Sequence, residues 1–451
     1  MRTVVRAVMA GGLTFALAAC SADEPVGAAG GALRATVAPS SGVGSVSASV
    51  PALVGTAVRP LDGTGSAPFD RERQVQAPPG WTVSVWARVA GARLLAWTPD
   101  KRLLVSRPKS GDVVELVPGQ GDAAPSQRTL VDGLNQPHGL AFQGDTLFVA
   151  ESDQVDSFEY ADGAVAGKRV VLDGLPDAKS PELGGAYAHA LKSVAVGQDG
   201  ALYVSVGSTG NISAADRDAD PERASILRVP AGGGAASVFA HGVRNGTGLA
   251  VDPDGGVWTA VNGRDNMEDP ADPGEVSQTY VNDHPLEPLA RLAQGRDLGW
   301  PYCNPDPDLK PGEKDSPLSY TQRPLVRDVQ TNADGSKLDC AALAPIEQGM
   351  GAHSAPLGLS FATAPGLGDG YGPGALVGVH GSWNRKPPRA PEVSFFAWRD
   401  GTLGPQQTLI TGFQGEDGSR WGRPVMAVQG PDGALYVSDD YAGAVYRVSR
   451  A

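Results

Sequence analysis

The chain predicts an all-β fold, and three observations carry that prediction. Among 451 residues Gly (60) and Pro (37) are abundant while aromatic residues make up only 6%, which suits many turns and short strands better than helices. A turn followed by a short apolar strand recurs six times: PDKRLLVSR from Pro99, GDTLFVAES from Gly144, QDGALYVSV from Gln198, PDGGVWTAV from Pro253, PGALVGVHG from Pro373 and PDGALYVSD from Pro431. Companion strands (GLAFQ, SVAVG, GLAVD, MAVQG) precede four of those turns. The starts lie 45, 54, 55, 120 and 58 residues apart. A self-similar β unit at such a period is the signature of a propeller with one four-stranded blade per repeat, so six copies predict a six-bladed β-propeller. The long gap predicts a blade-sized insertion between the fourth and fifth repeats.

The N-terminus reads as a targeting segment. MRTVVR is a short basic region, and the apolar stretch that follows is too short and glycine-rich to span a bilayer. Leu17-Ala18-Ala19-Cys20 matches the bacterial lipobox, which predicts a lipoprotein signal over residues 1–19 and lipidation of Cys20. The protein is then expected to be exported, on the periplasmic face of a bacterial membrane or in the cell envelope, and held there by its lipid alone. Residues 20–75 are rich in Ala, Gly, Ser, Val and Pro without sustained periodicity and read as a flexible tether. The propeller is assigned to residues 76–451. With Cys20 acylated, Cys303 and Cys340 remain as a pair in an oxidising compartment, and a structural disulfide is expected. The formal net charge of −13 and the absence of any basic run exclude nucleic acid and anionic membrane surfaces as electrostatic partners.

The richest stretch is HALKSVAVGQDGALYVSVGSTGN, His189 to Asn211. Its middle is a hairpin turned by Asp199-Gly200, with a histidine leading in and a polar run leading out. The same position before an inner strand carries Gln136-Pro137-His138 ahead of GLAF, Arg244-Asn245 ahead of GTGLAV, His353 ahead of APLGLSF and Arg423 ahead of PVMAV. A radial array of blades would bring these groups to one face, where propellers bind ligands, and arginines beside histidines in an acidic chain suit an anionic ligand or cofactor. Each group also has a structural reading: Arg244 paired with an acidic neighbour, His353 bonded to a loop carbonyl, His138 holding a turn. No GxSxG elbow, Walker loop, HExxH or CxxC motif competes.

At these residues the chain resembles the PQQ-dependent sugar dehydrogenases of the soluble glucose, aldose and sorbosone dehydrogenase type. The resemblance runs from about Pro78 to Val448 and is carried by HALKSVAVGQDGALYVSVGSTGN, GVRNGTGLAVDPDG, LGWPYC, AHSAPLGLSF, GVHGSWNR and GRPVMAV. LGWPYC and the last two look closest to the sorbosone-dehydrogenase branch. The resemblance implies a top face holding pyrroloquinoline quinone (PQQ) with Ca2+, and oxidation of a sugar, sugar aldehyde or polyol by hydride transfer. It implies His189 as general base, Arg244 and Asn245 on the quinone oxygens, Arg423 on PQQ carboxylates, and main-chain carbonyls near Gly263 and Arg264 on calcium. Gln136, His138, Lys192, His353 and Arg385 would complete the pocket. Three positions depart from the family: Ser208 stands for an aspartate, Val425 for an arginine and Thr247 for a glutamine. Two other classes remain open. One is a propeller lactonase or esterase using a metal at the channel mouth, with Glu151, Asp153, Asp265 and Asp439 as candidates; the other is a non-enzymatic binding propeller.

Overall fold

The computed structural model describes residues 51–450 except 122, 184, 186, 312, 314, 315, 320–323 and 369. The signal, Cys20 and the tether up to residue 50 lie outside the described residues. Six antiparallel sheets form the blades, each running outward from an innermost strand. Blade 1 begins at Leu95–Trp97, blade 2 at Gly139–Gln143, blade 3 at Val194–Val196, blade 4 at Gly248–Val251, blade 5 at Pro356–Ala362 and blade 6 at Pro424–Gln429. The six repeats of the sequence supply the second strand of each blade, for example Leu202–Val206 and Leu435–Asp439.

These second strands are continuous apolar runs because both faces are buried. Alternation sends Leu103 and Val105 against blade 6 and Leu104 against blade 2. One apolar cluster lies between each pair of neighbouring blades, so the core is a closed ring of six interfaces. Near the axis the inner strands approach closely: a Cβ on Gly139 would stand 2.5 Å from the Val194 nitrogen, so only glycine fits. The serine of the LLVS and LYVS repeats has a matching task. Ser106, Ser205 and Ser438 accept hydrogen bonds from the backbone N–H of Leu94, Ser193 and Met426, where each inner strand starts.

The ring closes through the N-terminal side. Trp81–Arg88 pairs antiparallel with Ala444–Arg450, giving blade 6 its fourth strand. Part of the stretch expected to be tether is ordered sheet, because Val54–Pro60 pairs with both Trp81–Arg88 and Arg73–Ala77. Val58, Phe69 and Val75 are buried there, with Phe69 edge-on to Trp421 and Tyr446. Glycine- and alanine-rich sequence suffices for this edge, since existing strands supply the pairing partner.

The insertion is carried inside blade 4. It departs after Val257–Ala260, includes the short helix Gln278–Asp283, returns for Glu287–Leu292, departs again, and rejoins at Gln348–Met350. Cys303 and Cys340 are joined in the second excursion, with Cα atoms 5.7 Å apart, and pack against the core between blades 3 and 4.

Candidate active site

In every blade the start of the innermost strand and the end of the second strand meet at one end of the propeller. His189, Arg244-Asn245, His353 and Arg423 occupy the former place; Ser208, Gly263-Arg264-Asp265, His380 and Asp440 occupy the latter. Two clusters result.

The first spans blades 3 to 5. His189 Nδ1 lies 2.8 Å from Ser208 Oγ and 3.1 Å from the Ser208 carbonyl. A carbonyl only accepts and Ser208 Oγ donates to the Gly210 carbonyl, so Nδ1 carries the proton and Nε2 keeps its lone pair. The departure at Ser208 therefore sets the tautomer. Gly207 lets the two segments meet: a Cβ there would stand 2.6 Å from His189 Cβ. Burial, then the Arg244 guanidinium, pushes the imidazole down to about 3, against weaker effects of Ser208 and Asp265. With serine in place of a carboxylate at 208, the only anion that supports protonation is the more distant Asp265, and burial outweighs it.

Arg244 is buried and donates to the carbonyls of Asn211 and Asn262, to Asn211 Oδ1 (3.1 Å) and to Asp265 Oδ2 (3.3 Å). Asp265 is the hub. Its Oδ1 faces Asn384 Nδ2 at 3.2 Å and His353 Nδ1 at 3.5 Å, while His353 Nε2 reaches the Val281 carbonyl at 2.7 Å. Both structural readings, of Arg244 with an acid and of His353 with a carbonyl, are therefore realised within the same cluster. Asn245 is buried beside them, its carbonyl accepting the Asn262 N–H.

The second cluster spans blades 5, 6, 1 and 2. Asp440 takes His380 Nε2 on Oδ1 at 2.8 Å and Arg93 Nη1 on Oδ2 at 2.9 Å. Arg93 Nη2 lies 3.5 Å from His138 Nε2. Arg423 donates to the His380 and Gly381 carbonyls and shares a cavity of about 340 Å³ with Arg420 and Tyr441. Burial and then the Arg420 charge lower its affinity for its proton, a setting that suits an anion.

Four expected pocket residues are engaged by the protein itself. His138 and Lys192 have no exposed surface. Lys192 Nζ is bound by the Pro176 and Ala190 carbonyls, and burial pulls it down to about 7, so both residues support the floor. Arg385 pairs with Asp283 at the rim. Gln136 is exposed, accepting from Ser152 Oγ. Among the described residues none of the four carboxylates weighed for a lactonase, Glu151, Asp153, Asp265 and Asp439, joins a metal-sized group, and Glu151 pairs with Lys168, Asp439 with Tyr446 and Asp265 with Arg244. Sequence reading missed Asn211, Glu287, Asn384, His380, Asp440 and Arg93. Asn211, Asn384 and His380 close the motifs STGN, GSWN and GVH, and the strand-end rule reaches Arg93 and Asp440 as well.

A hard cation fits beside Asp265. Among the described residues neither the Gly263 nor the Arg264 carbonyl accepts a hydrogen bond. Glu287 Oε1 accepts the Gly263 N–H, but Oε2 is buried without a partner, as is Asn384 Oδ1. Burial pushes the Glu287 carboxyl up to about 7, with Asp265 adding to it and His353 and Arg244 opposing. The Arg264 side chain points away, to Asp328 at 2.6 Å, leaving its carbonyl as the ligand on offer.

Residues 75–451 match the TrAA12-like family. The chain belongs to that family. It is 27% identical over 295 residues to the pyrroloquinoline quinone-dependent pyranose dehydrogenase of Coprinopsis cinerea, covering 55% of this chain and 37% of that protein. The chain thus matches little more than a third of that relative's length. Among solved structures it resembles the holo form of the pyranose dehydrogenase PQQ domain from Coprinopsis cinerea, with a TM-score of 0.70 at 20% identity, covering 87% of this chain and 100% of that one. A calcium structure of a Trichoderma reesei family AA12 protein gives 0.68 at 19%, covering 91% and 100%. These similarities establish the six-bladed fold of the family.

Proposed function

We propose that this chain is an exported, lipid-anchored dehydrogenase that uses PQQ and calcium to oxidise a sugar, sugar aldehyde or polyol. The carrying observation is the neutral His189, its Nδ1 held by Ser208 and its Nε2 free, beside the Arg244–Asp265 pair on one face of the propeller. Membership of a family with a PQQ-dependent pyranose dehydrogenase among its relatives supports the cofactor. LGWPYC, GVHGSWNR and GRPVMAV favour a sorbosone-like sugar aldehyde within that range. The lipobox ending at Cys20 supports the anchor and the periplasmic side.

Arg244 and Asn245 would hold the quinone end of PQQ, and Arg423 with Arg420 its carboxylates. The Gly263 and Arg264 carbonyls with Glu287 would hold calcium. When bound, the pair supplies a hydride-accepting quinone polarised by a Lewis acid. The chain's own contribution is proton handling. His189 stays neutral at working pH, so Nε2 is always ready to take the substrate hydroxyl proton. Asp265 offsets the imidazolium charge that follows; burial raises its own carboxyl, but His353, Arg244 and, least, His189 hold it below the ordinary value. Exposed Trp383 and Tyr441 beside this face offer apolar platforms for a sugar ring.

The test is reconstitution with PQQ and calcium and a screen of aldoses, sorbosone and polyols, followed by reduction of an artificial electron-accepting dye. Sugar-dependent reduction requiring both additions is expected. No reduction by correctly folded, PQQ-loaded protein, with lactone hydrolysis on metal alone, would overturn the reading.

A further inference from the structure

His284, Asp306 and Asp308 form a second cluster, built entirely from the blade 4 insertion and separate from Asp265. All three are buried, and one ligand atom of each lies within 4.8 Å of the others. His284 closes the helix Gln278–Asp283 and its Nδ1 donates to the Tyr280 carbonyl at 3.0 Å. The Tyr280 ring stacks on the imidazole at 3.9 Å. With Nδ1 carrying the proton, the Nε2 lone pair faces Asp308 Oδ1 at 3.2 Å and Asp306 Oδ1 at 3.7 Å. Nε2 is buried and makes no hydrogen bond, although the residue is only 6% exposed. A lone pair aimed at two carboxylates is unfavourable unless a proton or a metal ion lies between them, and the surroundings favour the metal.

The spacing fits a metal. Two ligand atoms each about 2.0–2.1 Å from a tetrahedral ion stand roughly 3.3 Å apart, close to the separations seen here. The Tyr280 carbonyl plays the outer partner that commonly fixes a ligating imidazole. Asp306 is fixed likewise, by the Asp308 N–H on its Oδ1 at 2.8 Å. A cleft of about 790 Å³ lined by Asp269, Asp272, Glu275 and Asp283 opens onto His284 and Asp308, giving a cation an acidic way in. One imidazole with two carboxylates selects a first-row divalent ion such as zinc over calcium, which prefers oxygen alone.

We propose that His284, Asp306 and Asp308 bind one divalent transition-metal ion, zinc by preference, that clamps the two excursions of the insertion together. The ion ties the helix end to the segment just after Cys303. The same helix supplies the Val281 carbonyl that holds His353, so the clamp braces the rim of the catalytic face.

The test uses the untagged full chain, stripped with chelator and then supplied with excess Ca2+ so that hard-oxygen sites are filled. Titration with Zn2+ is expected to show one equivalent bound and a raised thermal midpoint. His284→Gln and Asp306→Asn should each weaken that binding by more than about a hundredfold, beyond what loss of an outer partner costs. No stoichiometric zinc uptake, zinc displaced by calcium, or uptake unchanged in both variants would overturn the proposal. Should a variant fail to fold, wild type alone decides. Co2+ must then give visible d–d absorption and shift the resonances of one histidine, and their absence is equally contradictory.

Discussion

The two clusters on the catalytic face share a plan, a carboxylate between an arginine and a histidine, yet differ in closure. Around Asp440 each oxygen has one short partner, His380 at 2.8 Å and Arg93 at 2.9 Å. Burial raises the Asp440 carboxyl, but the hydrogen bond and charge of His380, with Arg93, outweigh it and hold the group well below the usual carboxylate range. Around Asp265 the partners stand farther off, at 3.2 to 3.5 Å, and unpaired oxygens of Glu287 and Asn384 lie nearby. The Asp440 cluster is complete around its carboxylate and fastens blades 5, 6 and 1. The Asp265 cluster is built to be completed by something bound.

The largest effect expected lies outside both clusters and calibrates them. Replacing Cys303 and Cys340 by serine should cost about 4 kcal/mol for a separation of 37 residues, read as a fall in unfolding free energy in denaturant titration. Asp440→Asn comes next. Leaving Arg93 and His380 without their anion should cost about 3 kcal/mol of stability, with turnover per cofactor-loaded molecule close to wild type. A stable variant with lost turnover would erase the distinction between the clusters. Arg244→Ala should do the reverse: it should slow turnover by about a hundredfold, roughly 2.7 kcal/mol, while the propeller persists.

Proton affinity sharpens the contrast. The His189 imidazole is pushed down to about 3, chiefly by burial and then by Arg244. Between that value and its unfolded value near 6.5 the unfolded chain binds the extra proton, so this group's contribution to stability is complete above 6.5 and is lost as pH falls toward 3. Imidazole resonances in the apoprotein should show His189 neutral at pH 5. In Arg244→Ala, with a like charge gone, its midpoint should move upward; an unchanged midpoint would mean that the guanidinium does not act on the ring.

The fold was legible because propeller repeats bury both faces of the second strand, so LLVSR, LYVSV and LYVSD stand out against glycine-rich turns. Val54–Pro60 was not, since it borrows its order from Trp81–Arg88, itself held by the late strand Ala444–Arg450. The site was legible by position: groups before inner strands were found except Arg93, while Asp440, Glu287 and Asn384 were not. Their positions at strand ends and in the GSWN motif were visible, but the partners that give them a role come from other blades. Ser208 shows the opposite limit. It was visible as a departure, but its consequence, the tautomer and low basicity of His189, depends on the 2.8 Å contact.

The most direct measurement is turnover of His189→Gln, loaded with PQQ and calcium, under saturating sugar. The propeller should remain intact by circular dichroism and PQQ should bind nearly as in wild type, because neither depends on Nε2. Turnover should fall by at least about a hundredfold, the usual contribution of a positioned general base. Near-wild-type turnover in that variant would show that the proton goes elsewhere and that His189 is not the base.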